Sequence, residues 1–107
     1  LLVSLDSAFA ALSDPTRREV VGLLGERPRR AGELASAFHV SRPAVSRHLR
    51  VLREAGLVEA KKFGRAQVYR LRPGGIAEAR RWIEETGRFW DVTLDAFRRH
   101  VEEEVEG

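Results

Sequence analysis

The chain has 107 residues, 43% hydrophobic and 33% charged, with no cysteine and a formal net charge of +3. That is one globular domain by length and composition, small enough that oligomerisation would help it bury a core. No apolar run approaches the ~18 residues of a membrane span, no signal-peptide pattern appears, and no disulfide or thiolate metal site can form, so a cytoplasmic protein without membrane or cofactor is expected.

In chain order, Leu1, Leu5, Phe9 (or Ala8) and Leu12 lie on one stripe of a first helix over residues 1–12. A helix this short is marginal alone and must lean on something larger. The opening at Leu1 rather than Met is expected of a trimmed chain. Ser13-Asp14-Pro15 reads as a stop and restart, with Asp14 as N-cap and Pro15 at the first helical position. Val20, Val21, Leu23 and Leu24 supply the second helix with an apolar face, Gly25 is expected to end it, and Glu26-Arg27-Pro28 reads as loop.

A third helix is predicted from Arg30 or Ala31 through Phe38, buried through Leu34, Ala35 and Phe38. His39-Val40 then turns the chain into Ser41. His39 sits where a left-handed residue is needed, and histidine is among the non-glycine residues enriched there. A fourth helix follows, capped by Ser41, tolerant of Pro43 in its first turn and closed by Gly56. Val45, Leu49 and Leu52 recur at i, i+4, i+7, so one stripe is buried. The other face carries Arg42, Ser46, Arg47, Arg50 and Arg53, with no acid before Glu54. Residues 31–55 therefore have the helix-turn-helix pattern, and the cationic outer face suits the major groove of double-stranded DNA.

Leu57–Phe63 and Ala66–Leu71 read as two strands around Gly64-Arg65, a hairpin over residues 57–71 whose tip carries Lys61, Lys62 and Arg65. A hairpin directly after such a helix is a wing, placed to meet phosphates or a minor groove; charge of this kind also protects an exposed strand edge. Residues 28–72 hold 11 basic and 3 acidic residues, a local +8, while the remainder carries −5. Arginine-rich coding would explain Arg over Lys, but not the clustering, which points to a polyanionic partner.

Pro73-Gly74-Gly75 breaks the chain again before a long helical pattern over residues 75–104. Ile76, Ala79, Ile83, Thr86, Trp90, Leu94, Phe97 and Val101 step by three or four, and Trp82 and Phe89 widen the stripe beyond what one small core needs. Thirty helical residues span some 45 Å. The surplus apolar face, with Leu1, Leu5 and Phe9, is expected to be covered by a second copy, with Ile83, Trp90, Leu94, Phe97 and Val101 at the interface. Trp82, Phe89, Trp90 and Phe97 would also line a pocket for an unidentified apolar small-molecule effector, but dimer packing accounts for them more economically. Gly87 costs about 1 kcal/mol inside a helix, so a kink or break near residues 84–88 is allowed for. Glu84/Arg88 and Asp95/Arg99 are expected as i, i+4 pairs.

Phe9–Arg18, Glu33-Leu-Ala35 and Val40–Val58, with Gly64-Arg65 and Tyr69-Arg-Leu71, resemble the ArsR family of winged helix-turn-helix bacterial transcriptional regulators over almost the whole chain. The resemblance implies a mostly α fold with a small β-hairpin, in α-α-α-α-β-β-α order with a long C-terminal dimerisation helix. It implies a homodimeric repressor of a near-palindromic operator, with no enzymatic activity. Thiolate sensors of that family carry cysteines where this chain has Glu33-Leu-Ala-Ser-Ala37. Zinc sensors pair Asp-x-His with His-x-x-Glu on the terminal helix, of which only His100-Val-Glu-Glu103 is present. The chain thus resembles a subgroup without the cysteine metal site, and no metal ligand is assigned.

The expected DNA contacts are Ser41, Arg42, Pro43, Ser46, Arg47, His48, Arg50, Lys62 and Arg65. Arg42 and Arg47 are candidate guanine readers, because a guanidinium bonds O6 and N7 together. Ser46 would reach a base edge or a phosphate; Arg50, Lys62 and Arg65 would bind phosphate. His48, at i+3 from Val45, is expected to pack toward the third helix and bond locally, with direct DNA contact as the alternative. The rival to a DNA reader is a winged-helix module that binds protein.

Overall fold

The computed structural model describes residues 5–106, so the expectations placed on Leu1 lie outside the described residues. The elements run α1 (Leu5–Leu12), α2 (Pro15–Glu26), β1 (Arg29–Arg30), α3 (Ala31–Phe38), α4 (Arg42–Glu54), β2 (Val58–Phe63), β3 (Ala66–Leu71) and α5 (Ala77–Glu106). The chain divides into two compact units, Leu1–Ala77 and Glu78–Gly107.

In the first unit, Val20, Leu34, Val45, Leu49 and Leu52 are fully buried and bring α2, α3 and α4 around one core. Helix α1 joins it through Ala8 and Ala11 rather than through Phe9, which is 37% exposed. Leu12, half-buried, packs against the same core, and Leu5 is likewise half-buried. The restart after α1 is as expected: the Asp14 carboxylate accepts from the Arg17 N–H at 3.1 Å, with Pro15 opening α2. Gly25 does not end α2, which continues to Glu26. Arg27 is extended at φ −169°, the conformation that Pro28 imposes on the residue before it. Proline, not glycine, stops this helix.

Residues 29–30 correct the expected element order. They form a two-residue strand, Arg29 opposite Tyr69 and Arg30 opposite Val68, so the hairpin is part of a three-stranded antiparallel sheet in the order β1-β3-β2. Two residues are too few to show any periodicity. In the hairpin, Val58 faces Leu71 and Phe63 faces Ala66, which leaves Gly64 and Arg65 as a two-residue turn. Gly64 takes φ +63°, the first-position requirement of a type II′ turn. Val58 and Tyr69 are buried on the sheet's inner face.

The turn between α3 and α4 is built as expected. His39 adopts the left-handed conformation, φ 55° and ψ 37°, and the Val40 N–H reaches back to the Ala35 carbonyl at 3.2 Å. At the other end of α4, Gly56 (φ +75°) donates to the Arg53 carbonyl and Leu57 to that of Leu52, a Schellman closure. A Cβ on Gly75 would lie 2.6 Å from the Gly56 carbonyl oxygen, so the chain just before α5 lies directly on the backbone just after α4.

The second unit is helix α5. It is continuous through Gly87, so residues 84–88 form no break, and it begins at Ala77 and ends at Glu106 rather than at 75 and 104. Asp95 pairs with Arg98 at 2.8 Å instead of Arg99, and His100 with Glu104 at 3.2 Å; no ion pair joins Glu84 to Arg88 among the described residues. No described helix is long and apolar enough to cross a membrane.

Candidate nucleic-acid interface

Helix α4 is held from three directions. The Ser41 hydroxyl accepts from the Ala44 N–H at 3.2 Å, which fixes the first turn. Val45, Leu49 and Leu52 seat the inner stripe, and α3 lies across it through buried Leu34 and Ala35. Ala35 is small enough for the two helices to cross closely. The first turn of α3 is secured in turn by Glu33, whose carboxylate accepts from the Arg30 N–H at 3.3 Å and pairs with Arg27 at 3.1 Å. Those bonds, the Arg30 N–H first, hold the Glu33 carboxyl below its usual pKa.

Ser41, Arg42, Pro43, Ser46, Arg47 and Arg50 are all exposed on α4 and its cap, and Lys62 and Arg65 are exposed on the wing. The ion pairs lie away from this surface. Arg27, Arg29, Arg70 and Arg98 are matched by Glu33, Glu26, Glu59 and Asp95. None of Arg42, Arg47, Arg50, Arg53, Lys61, Lys62 and Arg65 enters an ion pair among the described residues. Seven exposed cations without an ion partner are thus gathered on α4 and the hairpin tip. Cross-strand alternation puts Lys61 and Phe63 on one face of the wing and Lys62, opposite Gln67, on the other.

Three residues matter here that the sequence reading passed over. Gly32 on α3 lies under the Arg42 guanidinium: a Cβ there would meet Arg42 Nη2 at 2.8 Å, so Arg42 rests back over α3. Phe63 is 65% exposed beside the wing turn; its alternation with charged neighbours was the available signal. Arg17 contacts His48 across 31 residues of sequence, its Nη1 3.4 Å from Nδ1. His48, half-buried, therefore bonds to α2, neither locally nor toward α3. Nothing in sequence spacing marks that pair.

Among the described residues no group of three His, Asp or Glu could hold a metal ion. The His39 backbone forms the turn between α3 and α4, and His100 pairs with Glu104. On α5, Ile83, Trp90, Leu94, Phe97 and Val101 are all exposed, by 42 to 65%. The aromatics do not enclose a chamber within this helix: Phe89, Trp90 and Thr93 border an open surface groove.

Comparison with known proteins gives a consistent result. Residues 14–60 match the model of the bacterial regulatory protein, arsR family. An HTH-type transcriptional regulator of Mycobacterium tuberculosis, Rv2034, is 43% identical over 94% of this chain and 92% of its own length. The arsenical resistance operon repressor of Escherichia coli is 37% identical over 87% and 80%. Among solved structures, an ArsR-like transcriptional regulator from Rhodococcus sp. RHA1 superposes with a TM-score of 0.74, at 41% identity over 89% of this chain and 90% of that one. A homodimeric winged helix-turn-helix DNA-binding domain from Mycobacterium bovis superposes with a TM-score of 0.64, at 25% identity over 78% and 77%.

Proposed function

The chain belongs to the arsR family of bacterial regulatory proteins, and on that footing we propose that it is a homodimeric, sequence-specific repressor that binds double-stranded DNA in the cytoplasm. The observation that carries this reading is a cluster of uncompensated charge: Arg42, Arg47, Arg50, Arg53, Lys61, Lys62 and Arg65, none in an ion pair among the described residues, are exposed along α4 and the tip of the wing. Helix α4 enters a major groove, and the β2–β3 hairpin lies on the flanking backbone or minor groove.

Arg47 projects from the middle of the exposed face and is the guanine reader. Arg42, folded over Gly32, swings outward to reach a base. Ser41, Pro43 and Ser46 form the polar contact surface of the first turns. Arg50, Lys62 and Arg65 meet phosphates, which position the protein without selecting sequence. The exposed apolar residues of α5, with Leu5 and Phe9 of α1, are covered by a second copy, and the whole chain acts as one winged helix-turn-helix domain in each protomer. Two-fold symmetry then calls for a near-palindromic operator with half-sites one turn or more apart. The relatives are transcriptional regulators rather than enzymes, and no reaction is assigned.

The test begins by selecting bound duplexes from a random pool. On the selected operator, Arg47→Ala is expected to cost about 1–3 kcal/mol while leaving random DNA nearly unaffected. Equal losses on both would move Arg47 to a phosphate. Absence of binding at low salt, or salt-independent association, would favour the protein-binding rival.

A further inference from the structure

The Arg17 guanidinium joins three elements. Its Nε donates to the Ala11 carbonyl at 2.6 Å and Nη2 to that of Ala10 at 3.3 Å. These are last-turn carbonyls of α1, which lack partners within their own helix and sit at its negative end. The Ser13 hydroxyl also donates to the Ala10 carbonyl, at 2.6 Å, and Arg18 Nη1 donates to that of Leu12, at 2.8 Å. The α1 terminus would thus keep caps without Arg17. What no other group supplies is the third arm, from Nη1 to His48 Nδ1 at 3.4 Å. Arginine has no acceptor, so in this contact Nδ1 is the accepting atom.

The place of His48 on α4 gives this arm its consequence. His48 is half-buried, at the border between the stripe of Val45, Leu49 and Leu52 and the exposed face that carries Arg47 and Arg50. Apolar contacts are non-directional and tolerate some rotation of a helix about its axis; a hydrogen bond at the edge of the buried stripe does not. Arg47 is the adjoining residue, so the rotation set at His48 decides where its guanidinium points. The base of the clamp is α1.

We propose that Arg17 and His48 form a positioning pair that fixes the rotation of α4 against the α1–α2 corner and thereby sets discrimination between operator and random DNA. This rests on the DNA-reading function proposed above. Phosphate contacts tolerate a small rotation because phosphates line the groove on both sides, whereas a bidentate base contact does not. The pair therefore acts on specificity, and Arg17 itself does not touch DNA.

The experiment measures operator and random-duplex affinity by fluorescence anisotropy for the full chain carrying Arg17→Lys, His48→Leu, both together, and His48→Asn. Lysine keeps the charge but, as a point donor, cannot serve the carbonyls and the ring together. Leucine keeps bulk without an acceptor, and the asparagine Oδ1 stands where Nδ1 stood. Each single loss of the contact is expected to lower the operator-to-random ratio about tenfold, with the double no worse than either single. Random-duplex affinity is expected to stay unchanged in Arg17→Lys, and His48→Asn to recover most of the ratio. Multiplying losses in the double would mean that His48 reads DNA itself, and would overturn the proposal. So would a ratio within about twofold of the parent in the single variants. If Arg17→Lys fails to fold, the histidine series decides alone: loss with leucine and recovery with asparagine supports the pair, equal loss with both refutes it. Failure of the underlying function is distinct, since the parent protein would then show no preference for any duplex.

Discussion

Arg65→Ala isolates the wing's contribution, and the size of its effect follows from the fold. Arg65 is the second residue of a two-residue turn, exposed, and without an ion partner among the described residues. Its charge is therefore free to neutralise a phosphate, and removing it disturbs no internal bond. In a symmetric dimer the substitution removes two such charges at once. Each neutralised phosphate contributes about 0.9 to the slope of log affinity against log salt, so the slope should become shallower by about 1.8. Raising salt from about 50 to about 200 mM should then shrink the variant's deficit by about twelvefold. Anisotropy titrations across that range, on operator and on random duplex, read the slope directly. Both duplexes should show the same change, because a phosphate contact carries no sequence information. A change near 0.9 would mean that only one wing touches DNA. An unaltered slope would remove the hairpin from the interface and refute the argument from uncompensated charge.

Three further outcomes test other parts of the structure. Leu94→Glu places a carboxylate in the middle of the exposed apolar stripe of α5; sedimentation should show the dimer dissociation constant raised at least about a hundredfold. Val92→Glu, two residues away on the opposite side of the same helix, should leave it unchanged, and equal effects would disprove the assigned face. Leu52 is fully buried, so Leu52→Ala should destabilise the chain by about 2–5 kcal/mol in denaturant unfolding; a loss under about 1 kcal/mol would show that α4 is not seated as described. Asp14 is held below its ordinary pKa, chiefly by the Arg17 N–H and further by the Thr16 N–H and the charge of Arg17. A carboxyl depressed by folding stabilises at neutral pH and loses that contribution as pH falls from its unfolded value, about 3.9, through its lower folded value. Asp14→Asn should flatten that part of the stability–pH curve, and an unchanged curve would contradict the capping role.

What could be read from residues alone was whatever repeats or caps. Val45, Leu49 and Leu52 announce the buried side of α4, and Ser41, Asp14 and Gly56 announce ends whose bonds are local. His39 was legible because so few side chains tolerate a left-handed backbone. Features built by distant partners were not. Strand β1 exists only because β3 offers it an edge, and nothing in Arg29-Arg30 says so. On the inner side of α1, Ala8 and Leu12 were legible on the apolar stripe, but nothing in the spacing singled out Ala11, whose close packing depends on the helices it meets. Gly25 looked like a helix stop, but the steric demand of Pro28 acts two residues later. At the interface, residue type and periodicity select the exposed cations, while the Arg17–His48 contact and the seat of Arg42 over Gly32 depend on how separate helices meet.

The approach of Gly75 to the Gly56 carbonyl divides the freedom of this chain to vary. Two backbones meet there with no side chain between them, so neither position has room for change: one needs a left-handed backbone, the other a missing Cβ. Beyond Ala77 no such restriction applies to the exposed stripe of α5. On the dimer proposed above, substitutions there exchange one helical partner for another while the end of α4 keeps its place. On the same proposal, choice of partner and choice of DNA are inherited separately, on either side of a junction made of two glycines.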